Sequence, residues 1–142
     1  VVVPSRAIAR EGVAHLYGRV VDEAGMAHSD PDLNAIGRAA LESRGIPTAD
    51  SLHLTCSSIF AQSGAMVEEW REAGYRSVDM EAATLFAVAK HFGFAATALL
   101  AVWDQLTADR SFLDPLTPEE EARLDAANKA VFEAALEIAA TP

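Results

Sequence analysis

Cysteine is nearly absent from this chain. The 142 residues contain only Cys56, so no disulfide can close within the chain, and a reduced, cytoplasmic protein is expected. Basic residues are also scarce. Eleven Lys and Arg stand against 21 Asp and Glu, for a formal charge of -10. A nucleic-acid footprint needs clustered Lys and Arg, so this balance argues against such a partner. It leaves anionic small ligands open, because backbone amides can bind them. No apolar run is long enough to span a bilayer, and no membrane partner is expected. The start, Val1 to Pro4, lacks the basic flank of a signal peptide. His15, His28, His53 and His91 have no metal-ligand spacing, so no metal is expected; no organic cofactor is implied either. There is no glycine-rich phosphate loop, internal repeat, low-complexity segment or linker. What is present suits one domain over residues 1–142: half of the residues are apolar, enough for a real core.

Hydrophobic periodicity divides the chain. Val1 to Ile8 reads as a strand, with Pro4 near an edge. Residues 13–30 carry no clear period and read as loop. Pro31 opens a helix to about Ser43, with Leu33, Ile36, Ala40 and Leu41 as its apolar stripe. Gly45 and Pro47 stop it. Ser51 to Cys56 is a short strand, Ala65 to Glu72 a helix with Gly74 as its C-cap, and Tyr75 to Met80 a strand. Glu81 to Phe92 is a helix, with Leu85, Val88, Ala89 and Phe92 on one side. Phe94 to Trp103 is nearly all apolar, as expected for a strand buried on both faces. Residues 105–116 read as a polar loop beside the site. Thr117, Pro118 and Glu120 predict a capped helix start. Leu124, Ala127, Val131, Ala135 and Ile138 would be that helix's buried face. Strands alternating with helices imply an α/β layered fold.

The run from Ser77 to Ala83 places Met80 and Glu81 at a strand-to-helix junction. Asp104 ends the next apolar run. In open α/β sheets, ligands bind outside the carboxyl ends of the strands, so two acids there point to a small-molecule site. Taken alone, the residues leave other roles open. Glu81 is equally suited to the helix dipole. Asp104 is suited to bonding the following turn. Met80 and Phe60 are suited to a core.

Several stretches together resemble one family. They are Val2 to Ile8 with Arg10 to Tyr17, Met66 to Gly74, Val78 to Phe86, and Ala101 to Asp104. The resemblance is to the nucleoside phosphorylases, which include uridine phosphorylase, the bacterial hexameric purine nucleoside phosphorylases and related nucleosidases. It implies a three-layer α/β fold with a mixed sheet, incomplete at the N-terminal side. It also implies site roles. Glu81 would accept from the two ribose hydroxyls, orient C1′ and support the oxocarbenium-like state. Met80 would lie against the sugar. Asp79 stands where many members carry Glu, within reach of a ribose hydroxyl but on a shorter side chain. Asp104 would protonate N7 of a departing purine. Phe60 would stack on the base. Trp103 stands where a small polar residue is usual and would reshape the base pocket. Arg110 is a candidate for a second base contact. In the uridine phosphorylases a longer insertion here carries the Gln and Arg that read uracil; Ala61 to Gly64 is short and has neither in place, which favours a purine nucleoside.

In the phosphorylases of this family, phosphate is held by an early glycine-rich turn, several arginines and a Gly-Thr-type loop. None has a counterpart here, and Arg6, Arg10 and Arg19 do not match. No phosphate-binding residue is therefore assigned in this chain. The expected partners are the nucleoside, phosphate as co-substrate, and a second polypeptide supplying the N-terminal half in a homo- or hetero-oligomer. Phosphorolysis needs an oxyanion clamp from that partner. A phosphate-independent nucleosidase and a non-catalytic nucleoside-binding subunit are the alternatives.

Overall fold

The computed structural model describes residues 1–9, 17, 22, 24–107 and 113–141. Arg10, His15, Arg19 and Arg110, singled out above, lie outside the described residues. Four short strands form one mixed sheet: β1 (Arg6–Ala9), β2 (Met26–His28), β3 (His53–Thr55) and β4 (Ser77–Asp79). Their spatial order is β2-β1-β3-β4. β1 is antiparallel to β2 and parallel to β3, and β3 is parallel to β4. Among the described residues, the α-helices are α1 (Pro31–Glu42), α2 (Gly64–Glu72), α3 (Ala82–Phe92) and α4 (Pro118–Ala139).

Side-chain alternation along the strands divides the core. On one face, Ala7 and Ala27 pack against Ala82, Ala83, Phe86 and Ala87 of α3. These small side chains bring the helix close to the sheet, and Phe86 fills the space that remains. Burying a phenyl ring of this kind contributes about 1.5–3 kcal/mol. On the other face, Leu54 and Cys56 pack with Trp70 of α2, beside Ile8, Val67 and Val78. Helix, sheet and helix therefore make three layers, as in the α/β expectation. A third cluster joins α1 to α4 through Ala40, Leu41, Ala130 and Ala134 around Val3. Arg44 ties the same helices together by bonding Glu133 at 3.0 Å and also Glu137. Gly37 permits close packing here. A Cβ at that position would lie 2.8 Å from Leu99 Cδ2 and 3.2 Å from Ile138 Cδ1. Among the described residues, no helix is long and apolar enough to cross a membrane.

Helix termini follow their local chemistry. Asp30 caps α1, accepting from the Asp32 and Leu33 amides at 3.0 Å each. Thr117 and Glu120 form the capping box of α4. Thr117→Ala is expected to lower stability by about 1 kcal/mol, measured by urea denaturation. Gly93, at φ 76°, ends α3 in the left-handed conformation.

Four sequence expectations need correction. β2 falls inside the span read as loop. It has three residues and no pattern of its own, and pairing with β1 is what creates it. The apolar run from Phe94 to Trp103 is not a strand. Among the described residues, only Leu100 bridges, exchanging 2.8 Å bonds with Val2. Phe94, Val102 and Trp103 are more than half exposed. The buried face of α3 is the alanine-rich one; Leu85 and Phe92 are exposed instead. On α4, Ala130 and Ala134 are the fully buried residues, while Ala135 faces outward. Hydrophobicity ranks leucine and phenylalanine above alanine, but close helix packing selects the smaller side chain.

Candidate active site

The site is built where β3 and β4 run side by side. Their register sets His53 opposite Ser77 and Thr55 opposite Asp79. All four side chains therefore share the face that α3 covers. Thr55 Oγ1 donates to Asp79 Oδ1 at 2.7 Å and accepts from the Ala83 amide at 2.9 Å. Asp79 Oδ2 accepts from the Ala82 amide at 2.8 Å. The first amides of a helix lack intrahelical partners, and at α3 these two side chains supply them. Glu81 occupies the N-cap position, but its side chain does not cap the helix. Its carboxylate accepts from the Met80 amide at 3.2 Å and stays exposed.

Burial on its own would push the Asp79 carboxyl up. The imidazole of His53 nearby, the hydrogen bond from Thr55 and the Ala82 amide together outweigh burial and hold the carboxyl below its ordinary value. His53 Nε2 lies 3.1 Å from Asp79 Oδ1. That distance suits a hydrogen bond, but the direction does not, and Nε2 has no aligned partner. The contact is therefore electrostatic more than directional.

Beside this junction lies a cavity of about 790 Å³. It is lined by Asp79, Met80, Glu81, Trp103 and Asp104, together with Ile59 and Gln62. Met80 is 42% exposed. Asp104 is half-buried, and its Oδ1 accepts from the Gln105 amide at 2.7 Å. Five of the six sequence-derived candidates among the described residues thus meet around one space. Phe60 does not line it. It sits on a short 3₁₀ turn, Ile59–Ala61, and is 96% exposed. Among the described residues, no three His, Cys, Asp or Glu side chains converge as a metal-ligand set.

The Phosphorylase superfamily model matches residues 1–140. The chain belongs to the phosphorylase superfamily. Two solved structures show the same fold. One is the 5′-methylthioadenosine/S-adenosyl homocysteine nucleosidase of Campylobacter jejuni, with a TM-score of 0.70 at 14% identity. The other is a mutant futalosine hydrolase of Helicobacter pylori, with a TM-score of 0.64 at 14% identity. Each alignment covers 97% of this chain, but only 59% and 58% of those proteins. The chain thus spans about three fifths of their length. No curated protein sequence matches it.

Within this superfamily chain, the sequence reading overlooked His53, Thr55 and Ser77. His53 appeared only as one of four scattered histidines, and nothing in its neighbours marks it. The signal was the alternation His53, Thr55 on one strand and Ser77, Asp79 on the other. It becomes readable only when the strand register is known.

Proposed function

We propose that this chain carries the sugar-and-base end of a site that cleaves the N-glycosidic bond of a nucleoside, preferentially a purine nucleoside. One observation carries the reading. Glu81 is released from helix capping because Asp79 and Thr55 take over that task, and its carboxylate shares a cavity with Met80 and Asp104. Glu81 presents its carboxylate exposed at the start of α3. It can accept from two adjacent hydroxyls, and ribose presents such a pair. Met80 would pack against the sugar ring. Asp104 would give its proton to the departing base and lower the barrier to bond cleavage. Trp103 would form a wall of the base pocket. Phe60 would stack on the base, which would cover a ring that is now bare. Asp79, whose oxygens are engaged by the protein's own donors, would support the junction more than it would contact the sugar.

The acceptor in this proposal is phosphate, with the oxyanion clamp supplied by polypeptide outside residues 1–142. The exposed apolar residues Phe94, Val102 and Trp103 are the kind of surface that such a partner would cover. A second reading, with water as acceptor, is favoured by the names of the two structural relatives, a nucleosidase and a hydrolase. Titrating phosphate while following base release by the complete protein separates them. Release that rises with phosphate and saturates is the expected result. Full-rate release without phosphate would overturn phosphorolysis and leave hydrolysis.

A further inference from the structure

The strand pair beneath the junction holds a buried group that the proposed reaction does not use. His53 is fully buried, on a sheet face where β1 sets Ala7 beside it and β4 sets Ser77 and Asp79. Packing alone would place an aliphatic residue there. An imidazole in such a position needs a reason, because buried polar groups are costly without partners. Its Nδ1 lies 2.7 Å from Ser77 Oγ, which in turn lies 2.6 Å from Ser51 Oγ. Its Nε2 faces Asp79 Oδ1 at 3.1 Å, off the ideal line.

This geometry favours one placement of the proton. Were Nε2 bare, its lone pair would lie 3.1 Å from a carboxylate oxygen, and the contact would be repulsive. With the proton on Nε2, an N–H lies near the carboxylate, off the line of a hydrogen bond, and the contact is attractive. Ser77 satisfies Nδ1 in either state, because a hydroxyl can both donate and accept. His53 thus presents a donor toward Asp79 whether neutral or charged.

We infer that His53 is a positioning residue for the Met80–Glu81 junction, acting through Asp79. The inference rests on reading Glu81 as the sugar ligand. The transmission is short. His53 and Thr55 converge on Oδ1 of Asp79, while the Ala82 amide holds Oδ2. The carboxylate is therefore held from three directions, and it anchors the first turn of α3. Glu81 lies between Asp79 and Ala82 and has no side-chain bond into the helix. Its place is set by those two neighbours. Remove the Nε2 donor and Asp79 can turn, carrying the junction with it.

The test compares His53→Leu, which keeps the buried volume, with His53→Gln, whose amide can reach toward Asp79. In the complete protein, kcat/KM is measured for a purine ribonucleoside and its 2′-deoxy analogue. Selectivity for the ribonucleoside is expected to fall about ten-fold in His53→Leu and to stay within about two-fold in His53→Gln, the scale of one weakened bond to a charged group. A general loss of folded protein would lower both substrates equally and leave the ratio unchanged. An unchanged ratio in folded His53→Leu, or equal loss in His53→Gln, overturns the inference. The amide NMR signals of Ala82 and Ala83 give a readout that needs no turnover. They should shift in His53→Leu and hold in His53→Gln; identical signals in both variants and the parent refute the role of His53. If the parent protein cleaves no nucleoside, the proposed reaction fails, and the amide signals still decide the matter of His53. Should His53→Leu fail to fold, Ser77→Ala removes the Nδ1 partner and is expected to shift the same two amides. Unmoved signals there would count against the relay.

Discussion

Asp104→Asn is expected to lower kcat for a purine nucleoside by about 10²–10⁴, the usual contribution of a positioned general acid, with little change in KM. The amide keeps the shape of the carboxyl and can still accept from the Gln105 amide, so the local turn should persist. What is lost is the proton for the base. The loss should therefore depend on the leaving group. A 4-nitrophenyl riboside departs without protonation, and its cleavage should fall far less than that of the nucleoside. Equal losses on both substrates would mean that Asp104 acts on packing instead. The comparison uses steady-state kinetics of the complete protein with both substrates.

Glu81→Ala is expected to lower kcat/KM by about 10², equivalent to about 3 kcal/mol, if each of two sugar hydroxyls loses a bond to a charged group worth about 1.5 kcal/mol. The fold should barely notice. The Ala82 and Ala83 amides are held by Asp79 and Thr55, so α3 stays capped without the Glu81 side chain. Thermal unfolding should shift little while activity collapses. A 2′-deoxynucleoside, which offers one hydroxyl fewer, should lose less than the ribonucleoside. A large loss of stability would instead assign Glu81 to the helix, which is the bland role its position allows.

The layered α/β fold and the strand-to-helix junction at Met80 and Glu81 were legible in the sequence, because strand ends and helix starts have local chemical signatures; the roles given to Met80, Glu81 and Asp104 rest on the family resemblance. The turn glycines, the Thr117 capping box and the extent of α1 are local in the same sense. The missed features all depend on partners. β2 exists only through pairing with β1. The Phe94 to Trp103 run has strand composition, yet only Leu100 finds a strand neighbour among the described residues. Phe60 has the aromatic face that stacking requires, but its ring stands clear of the cavity. His53 and Asp79 meet across two strands 26 positions apart, a contact that no spacing rule anticipates.

Asp79 shows how the two levels combine. By sequence it is a shortened version of a sugar-binding acid. In the fold, its shorter side chain reaches the Ala82 amide and the β3 hydroxyl. That exchange leaves Glu81 as the acid of the junction with no side-chain bond into the helix.

The central claim is that Glu81 and Asp104 together cleave a nucleoside at this junction. The most direct measurement follows free base released from a purine ribonucleoside by the complete protein, side by side with Glu81→Ala and Asp104→Asn. The account predicts release by the parent and a loss of about two orders of magnitude or more in each variant. Unchanged turnover in both variants would contradict it.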